Sequence, residues 1–257
     1  LRHRFTALER AQEQGIGHYF VPRYTRVVDT VDSKDDINKA YSLISTSRVR
    51  NEMIIDDVKK SVAQKQTPVI LTRFKEHAKL LYDALKNEAD HVFLLYGDNS
   101  DKENAEIRVK LKQIPKNESL ILVATGQKIG EGFDFPRLDV LMLAAPVSFE
   151  GRLEQYVGRL NREGKDSVYV YDYIDAHVRF FNKMYGKRLK TYKRTGFSIW
   201  TGDVRSKQII NAIYDSGNYK EKFEQDIVEA EKSIVISSPD IRQVEIDRLL
   251  LLVKDRQ

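Results

Sequence analysis

Between residues 68 and 174 the apolar positions come in short solid runs instead of alternating. "PVILT" (68–72), "HVFLLYG" (91–97), "SLILVAT" (119–125), "DVLMLAAP" (139–146) and "SVYVYDYI" (167–174) each read as a strand. Most are apolar at consecutive positions, the pattern expected when both faces of a parallel sheet are covered. Between the first runs lie stretches with helical spacing. Ala78, Leu81, Tyr82 and Leu85 mark one amphipathic helix, and "KENAEIRVKLKQI" (102–114) marks the next. Strands alternating with helices at this interval predict an α/β domain of three layers around a mainly parallel sheet.

The flanks carry a weaker pattern. "GHYFVPRYTRVV" (17–28) is extended, basic and aromatic, and two helices are predicted after it, one through Ile37, Tyr41 and Ile44, the other from Met53 to Val62. Beyond residue 195 come "GFSIWTGD", helical patterns near 206–215 and 219–232, a strand-like "SIVISSP" (233–239), and a helix holding Leu249 to Val253. No internal repeat interrupts this order.

Composition narrows the class without naming it. With 257 residues, 41% hydrophobic and 32% charged, the chain can bury a sizeable core. No apolar run reaches the roughly 20 residues needed to span a bilayer, and no signal peptide is evident. The lack of cysteine excludes disulfides and thiolate metal sites, and a cytoplasmic location is the expectation. A formal charge of +5 is compatible with a nucleic-acid partner. The first residue is Leu1 and the last stretch is "LLVKDRQ", so the chain reads as part of something longer.

Two stretches carry candidate chemistry. "ATGQKIGEGFDFP" (124–136) follows a buried strand, at the edge where open α/β sheets bind ligands. Its glycines permit close approach of backbone to a ligand, Thr125 and Gln127 offer hydrogen bonds to phosphate or sugar, and Asp134 can accept from a hydroxyl. A polar glycine-rich turn is the alternative. In "QYVGRLNR" (155–162), Gln155, Gly158, Arg159 and Arg162 share one helix face. Arginine forks match phosphate oxygens, so the pair suggests a polyphosphate clamp. A solvated basic face paired with Glu154 and Glu163 remains open on composition alone.

Taken in order, the two stretches resemble motifs V and VI of superfamily 2 helicases and translocases, which lie in the second of two RecA-like domains. "VILTRFKEHAKLLYDAL" looks like motif IV with its helix, and "LLYG" like the strand and glycine after it. The resemblance covers roughly residues 65–175, in the manner of restriction-type translocases and DEAD/DEAH-like proteins. It implies a three-layer, RecA-like (P-loop NTPase-like) domain over 61–195. Residues 1–60 would then be a connector and helices arriving from a first RecA-like domain, and 196–257 a carboxyl-terminal extension. "AEKSIVISSPDIRQVEIDRLLLLV" (230–253) is similar to the opening of a phospholipase D-like domain, or is a packing strand and helix.

The resemblance also implies roles. Arg162 is the expected arginine finger, with Arg159 beside it and Gln155 orienting the pair. Gly132, Asp134, Glu131 and Gly158 border ATP. Thr125 and Gln127 touch DNA or RNA, with Thr72, Arg73 and Gly97 as further candidates. No G-x-x-x-x-G-K-[ST] loop occurs, and "NEAD" (87–90) starts with Asn87 and ends a helix, so the phosphate cradle and the Mg2+ site are expected on the other domain. The chain alone is therefore not expected to hydrolyse ATP. The rival is a non-catalytic nucleic-acid-binding or scaffold module that keeps the fold.

Three features stay outside these motifs. "KMYGKRLKTYKR" (183–194) either tracks a nucleic-acid backbone with Tyr185 and Tyr192 stacking on bases, or is a solvated edge with its tyrosines inward. Trp200 offers a base-stacking ring or a core ring. "HAKLLYD" (77–83) fails the spacing of a phospholipase D-type signature, and the five histidines show no ligand-like spacing.

Overall fold

The computed structural model describes residues 16–29, 36–126, 137–147 and 167–200, together with 246, 247 and 250. The chain divides into two compact units, Leu1–Asn211 and Ala212–Gln257. In the second unit the described residues Ile246, Asp247 and Leu250 are helical. The patterns at 206–215, 219–232 and 233–239 lie outside the described residues, as does the sequence carrying motifs V and VI beyond Gly126.

The first unit is built on one seven-stranded sheet. Its elements are β1 (Gly17–Tyr24), α1 (Ile37–Thr46), α2 (Arg48–Ala63), β2 (Pro68–Thr72), α3 (Lys75–Leu85), β3 (His91–Leu95), α4 (Asp101–Gln113), β4 (Leu120–Thr125), β5 (Val140–Leu143), β6 (Ser167–Ile174), α5 (Arg179–Arg194) and β7 (Ser198–Ile199). The strand order is β3-β4-β2-β5-β6-β1-β7, and every pairing is parallel. All carboxyl ends therefore meet at one edge. From β2 the chain crosses to β3 on one side, whereas β5 leads to β6 on the other, so the loops leaving these neighbours diverge. Ligands of open α/β sheets sit in crevices of that kind.

Burial follows the runs. β2, β4 and β5 are buried at every position, while the edge strand β3 is half-buried except at Leu95 because it has one strand neighbour. One core cluster joins Ile54, Val58, Leu81 and Leu85 of the helices to Ile70, Val123 and Met142 of the sheet. A second gathers Tyr41, Ile44, Val178 and Phe181. Each fully buried aliphatic or aromatic side chain contributes about 1.5–3 kcal/mol. Local signals set the helix starts: Asp36 caps α1 through its carboxylate, and Ser100 and Glu103 form a reciprocal capping box on α4.

The stretch read as a connector contains a strand of the sheet itself. β1 pairs with β6 from Gly17↔Ser167 to Tyr24↔Ile174. Pro22 is tolerated because β7 pairs with β1 only at Tyr19 and Phe20, which among the described residues leaves one side of Pro22 without a strand.

Candidate functional site at the carboxyl edge

Four of the candidates come together. Thr72 ends β2 and Thr125 ends β4, and the two are register partners. Adjacent strands lie about 4.8 Å apart, so both hydroxyls belong to one patch of the edge. Arg73 follows Thr72, and Gly97 follows β3 on the far side of β4. Arg73 is exposed, with its guanidinium carbon 4.4 Å from the centre of the Tyr41 ring. Gly97 lies under the Lys75–Asp98 ion pair, and a Cβ there would stand 2.9 Å from Lys75 Cε. Gln127, Glu131, Gly132, Asp134, Gln155, Gly158, Arg159 and Arg162 fall outside the described residues. The chain leaves the edge at Gly126 and again at Val147.

Thr72 is not a free hydroxyl. It is 3% exposed, and its Oγ1 lies 2.6 Å from His77 Nδ1. His77 Nε2 lies 2.9 Å from Asn51 Oδ1, while Asn51 Nδ2 donates to the Ser45 carbonyl at 2.8 Å. The Ser45 bond fixes the amide, so Oδ1 must accept and Nε2 must carry the imidazole proton. Thr72 therefore donates to Nδ1. Burial, with the nearby Arg50 charge, lowers the His77 pKa to about 3 and keeps the ring neutral. This chain of bonds fixes the end of β2 to α2 and α3.

A second network holds the exit from β5. Arg50 Nη1 donates to the Ala144 carbonyl at 2.8 Å, Tyr41 Oη to that of Pro146 at 2.6 Å, and Arg188 Nη1 to that of Val147 at 3.0 Å. The three donors stand on α2, α1 and α5. Buried carboxylates at the end of β6 fix two of them. Asp172 takes a two-pronged bond from Arg188 Nε (2.7 Å) and Nη2 (2.8 Å), and accepts from Tyr192 Oη at 3.1 Å. Asp175 Oδ1 accepts from Arg50 Nε at 2.9 Å and from Thr25 Oγ1 at 2.6 Å. Burial opposes the charge on Arg188, but the Asp172 carboxylate outweighs it and holds the guanidinium pKa above its ordinary value.

Sequence reasoning missed this clamp. The available signal was Asp172 and Asp175 in and beside a strand otherwise apolar or aromatic; both are about fully buried, at 0% and 1% exposure. A shallow recess at β3, lined by Tyr82, Phe93, Glu103, Glu106 and Lys110, contains none of the candidates. Its two glutamates also suit a polyanion poorly.

The packing of two of the aromatic rings is defined. Tyr192 is buried and stacked on Phe20 at 4.4 Å, so it turns inward. Trp200 packs edge-on against Tyr19 and Tyr169 at 5.1 and 5.3 Å. Among the described residues no group of three or more His, Cys, Asp or Glu could hold a metal, and no helix is long and apolar enough to cross a membrane.

Comparison with known proteins agrees with this architecture. No family model matches the chain. The helicase-like protein 161L of Invertebrate iridescent virus 6 is 30% identical over 174 residues, covering 65% of this chain and 38% of that protein. Transcript termination protein OPG145 of Vaccinia virus (strain Copenhagen) is 22% identical over 198 residues, covering 68% and 40%. The crystal structure of T4 UvsW superposes with a TM-score of 0.55 at 21% identity, over 73% of this chain and 41% of that one. The chain spans less than half the length of each of these three proteins. The all-parallel sheet is thus of the RecA-like fold, and the sequence is similar to viral helicase-type and transcript-termination proteins over about two thirds of the chain.

Proposed function

We propose that this chain is the carboxyl-terminal motor half of an ATP-dependent nucleic-acid helicase or translocase, working in the cytoplasm. The observation that carries the reading is where the two motif stretches attach. The glycine loop departs from Thr125 and the arginine stretch from the clamped Val147, both at the carboxyl edge beside the β2–β5 divergence. In this reading residues 61–195, with β1, form the second RecA-like domain. A first RecA-like domain in the same parent chain holds the phosphates and Mg2+, and 196–257 form an extension.

The roles follow from the resemblance to motifs V and VI. Arg162 faces the γ-phosphate of ATP, Arg159 stands beside it, and Gln155 orients the pair. Gly132, Asp134, Glu131 and Gly158 border the nucleotide. Among the described residues the carboxyl edge supplies the Thr125 hydroxyl and the exposed Arg73 cation. ATP supplies the free energy of phosphoryl transfer. Arg73, Gly97, Thr125 and Gln127 meet the polynucleotide backbone, and Thr72, its hydroxyl engaged by His77, orders the edge on which they sit. Closing of two domains brings the arginines to the phosphates, and opening after hydrolysis shifts the grip on the strand.

The test is ATP turnover by the full-length protein, with and without DNA or RNA, beside Arg162→Ala. One relative bears on the choice of polymer, since the name of the Vaccinia protein refers to transcripts and makes RNA a first substrate to try. Stimulation by polynucleotide and a loss of about 10³-fold or more in the variant are expected. Normal turnover in the variant, or none in the parent, leaves the binding-module reading in its place.

A further inference from the structure

α5 carries seven Lys or Arg residues and no acidic one. Its inner side is committed to the domain: Phe181 is buried against Tyr41 of α1, Arg188 against Asp172 of β6 and Tyr192 against Phe20 of β1. At about 100° per residue, Arg179, Lys183, Gly186 and Lys190 fall within an arc of about 60° on the opposite side, with Lys187 just beyond. All five are exposed. Among the described residues no carboxylate pairs with Arg179, Lys183, Lys187 or Lys190. The row from Arg179 to Lys190 is about 16 Å long, with a cation at nearly every turn.

Gly186 adds an independent clue. It stands in the middle of a 16-residue helix, where glycine is the poorest helix former apart from proline. Nothing lies within 4 Å of the position its Cβ would occupy, so no packing inside the domain calls for it. A missing side chain at the centre of a cationic row leaves clearance for a partner to lie close against the helix. On the flank toward β1, Tyr24 is 60% exposed, and its ring is held edge-on to Tyr185 at 6.3 Å.

From this arrangement we infer that the outer face of α5 is an auxiliary docking track for a polynucleotide backbone, separate from the carboxyl-edge residues and gripping by charge without reading sequence. The inference rests on the motor reading above. Flexible lysines at every turn match a polymer of repeated phosphates better than a protein with a few fixed carboxylates. A membrane surface is a poor occupant, because an interfacial helix needs its apolar side free and here that side is in the core. Tyr24 offers a ring to a base that leaves the track.

The test is binding of fluorescein-labelled single-stranded DNA, single-stranded RNA and duplex DNA to the full-length protein across a potassium chloride series. The variant combines Lys183→Gln, Lys187→Gln and Lys190→Gln; the control combines Lys110→Gln, Lys112→Gln and Lys116→Gln, exposed lysines on and just after α4. Losing three phosphate contacts should flatten the log–log salt slope by about 2 on single strands and about 2.7 on duplex. That corresponds to about 100-fold weaker single-strand binding at 0.1 M salt, scaled from 1 M. The control should keep the wild-type slope. Gly186→Leu should keep the fold, read by circular dichroism and thermal melting, yet weaken binding. Equal slopes in the α5 variant and the wild type, or equal losses in both triple variants, overturn the track. If the wild type binds and its ATP turnover is stimulated while the α5 variant is unchanged, the track fails alone. If the wild type binds no polynucleotide, the track and the motor reading fall together.

Discussion

Lowering the pH should unfold this domain through one buried ring, His77. Folded, its pKa is about 3, because burial and the neighbouring Arg50 charge disfavour the protonated form. Unfolded, it returns to an ordinary 6.5, so the unfolded chain takes up the proton first as pH falls. The contribution is fully present above about pH 6.5 and is lost progressively on the way down to about 3. At 1.36 kcal/mol per unit its ceiling is about 5 kcal/mol, comparable with the whole stability of many domains. Urea unfolding from pH 7 to pH 4 measures it. Wild type should lose up to about 1.4 kcal/mol per pH unit below pH 6 beyond what His77→Leu loses. At pH 7 the variant should be about 2–4 kcal/mol less stable, because Asn51 Oδ1 and the Thr72 hydroxyl lose their partner. The two curves therefore converge in acid. Asp57, whose pKa burial raises against the pull of Arg23, acts with the opposite sign but is common to both proteins and cancels. Parallel curves across the range would refute the argument, since they would mean that the ring titrates alike in both states.

Arg188→Met should destabilise by about 3–5 kcal/mol, because it leaves the fully buried Asp172 carboxylate without its guanidinium. Adding Asp172→Leu should recover part of that loss in thermal or urea unfolding, whereas a further loss would show that the pair is not the source of the cost. Thr125→Val keeps the shape of a 7%-exposed side chain and removes its hydroxyl. It should change stability by no more than about 1.5 kcal/mol while lowering polynucleotide stimulation of ATP turnover, the readout that matters. Gly97→Ala should shift stability by less than about 0.5 kcal/mol, because its Cβ meets only the movable end of Lys75. A large loss in a melting experiment would mean that the backbone at 97 resists the change.

How far the sequence foretold this molecule depended on the kind of signal. β2, β4 and β5 were legible because solid apolar runs mean cover on both faces, and they are buried throughout. β1 was harder, since Pro22 and Arg23 break its run and only its place beside β6, with little of β7 opposite, makes that composition tolerable. Thr125 could be named because it closes such a run just before the glycine-rich stretch, and Thr72 through the resemblance to motif IV. The clamp could not be named, because its donors reach carbonyls 41 to 105 residues away, and every residue has a carbonyl. Its carboxylates were visible as misfits, and their cost is informative. Burying an Arg–Asp pair gains little over well-packed apolar side chains. Two such pairs lie at the end of β6, and both arginines, with Tyr41, converge on carbonyls between Ala144 and Val147. A stretch of four residues is thereby held from three helices. It is what a motor needs if the arginines that follow Val147 must reach a phosphate on another domain from a fixed point.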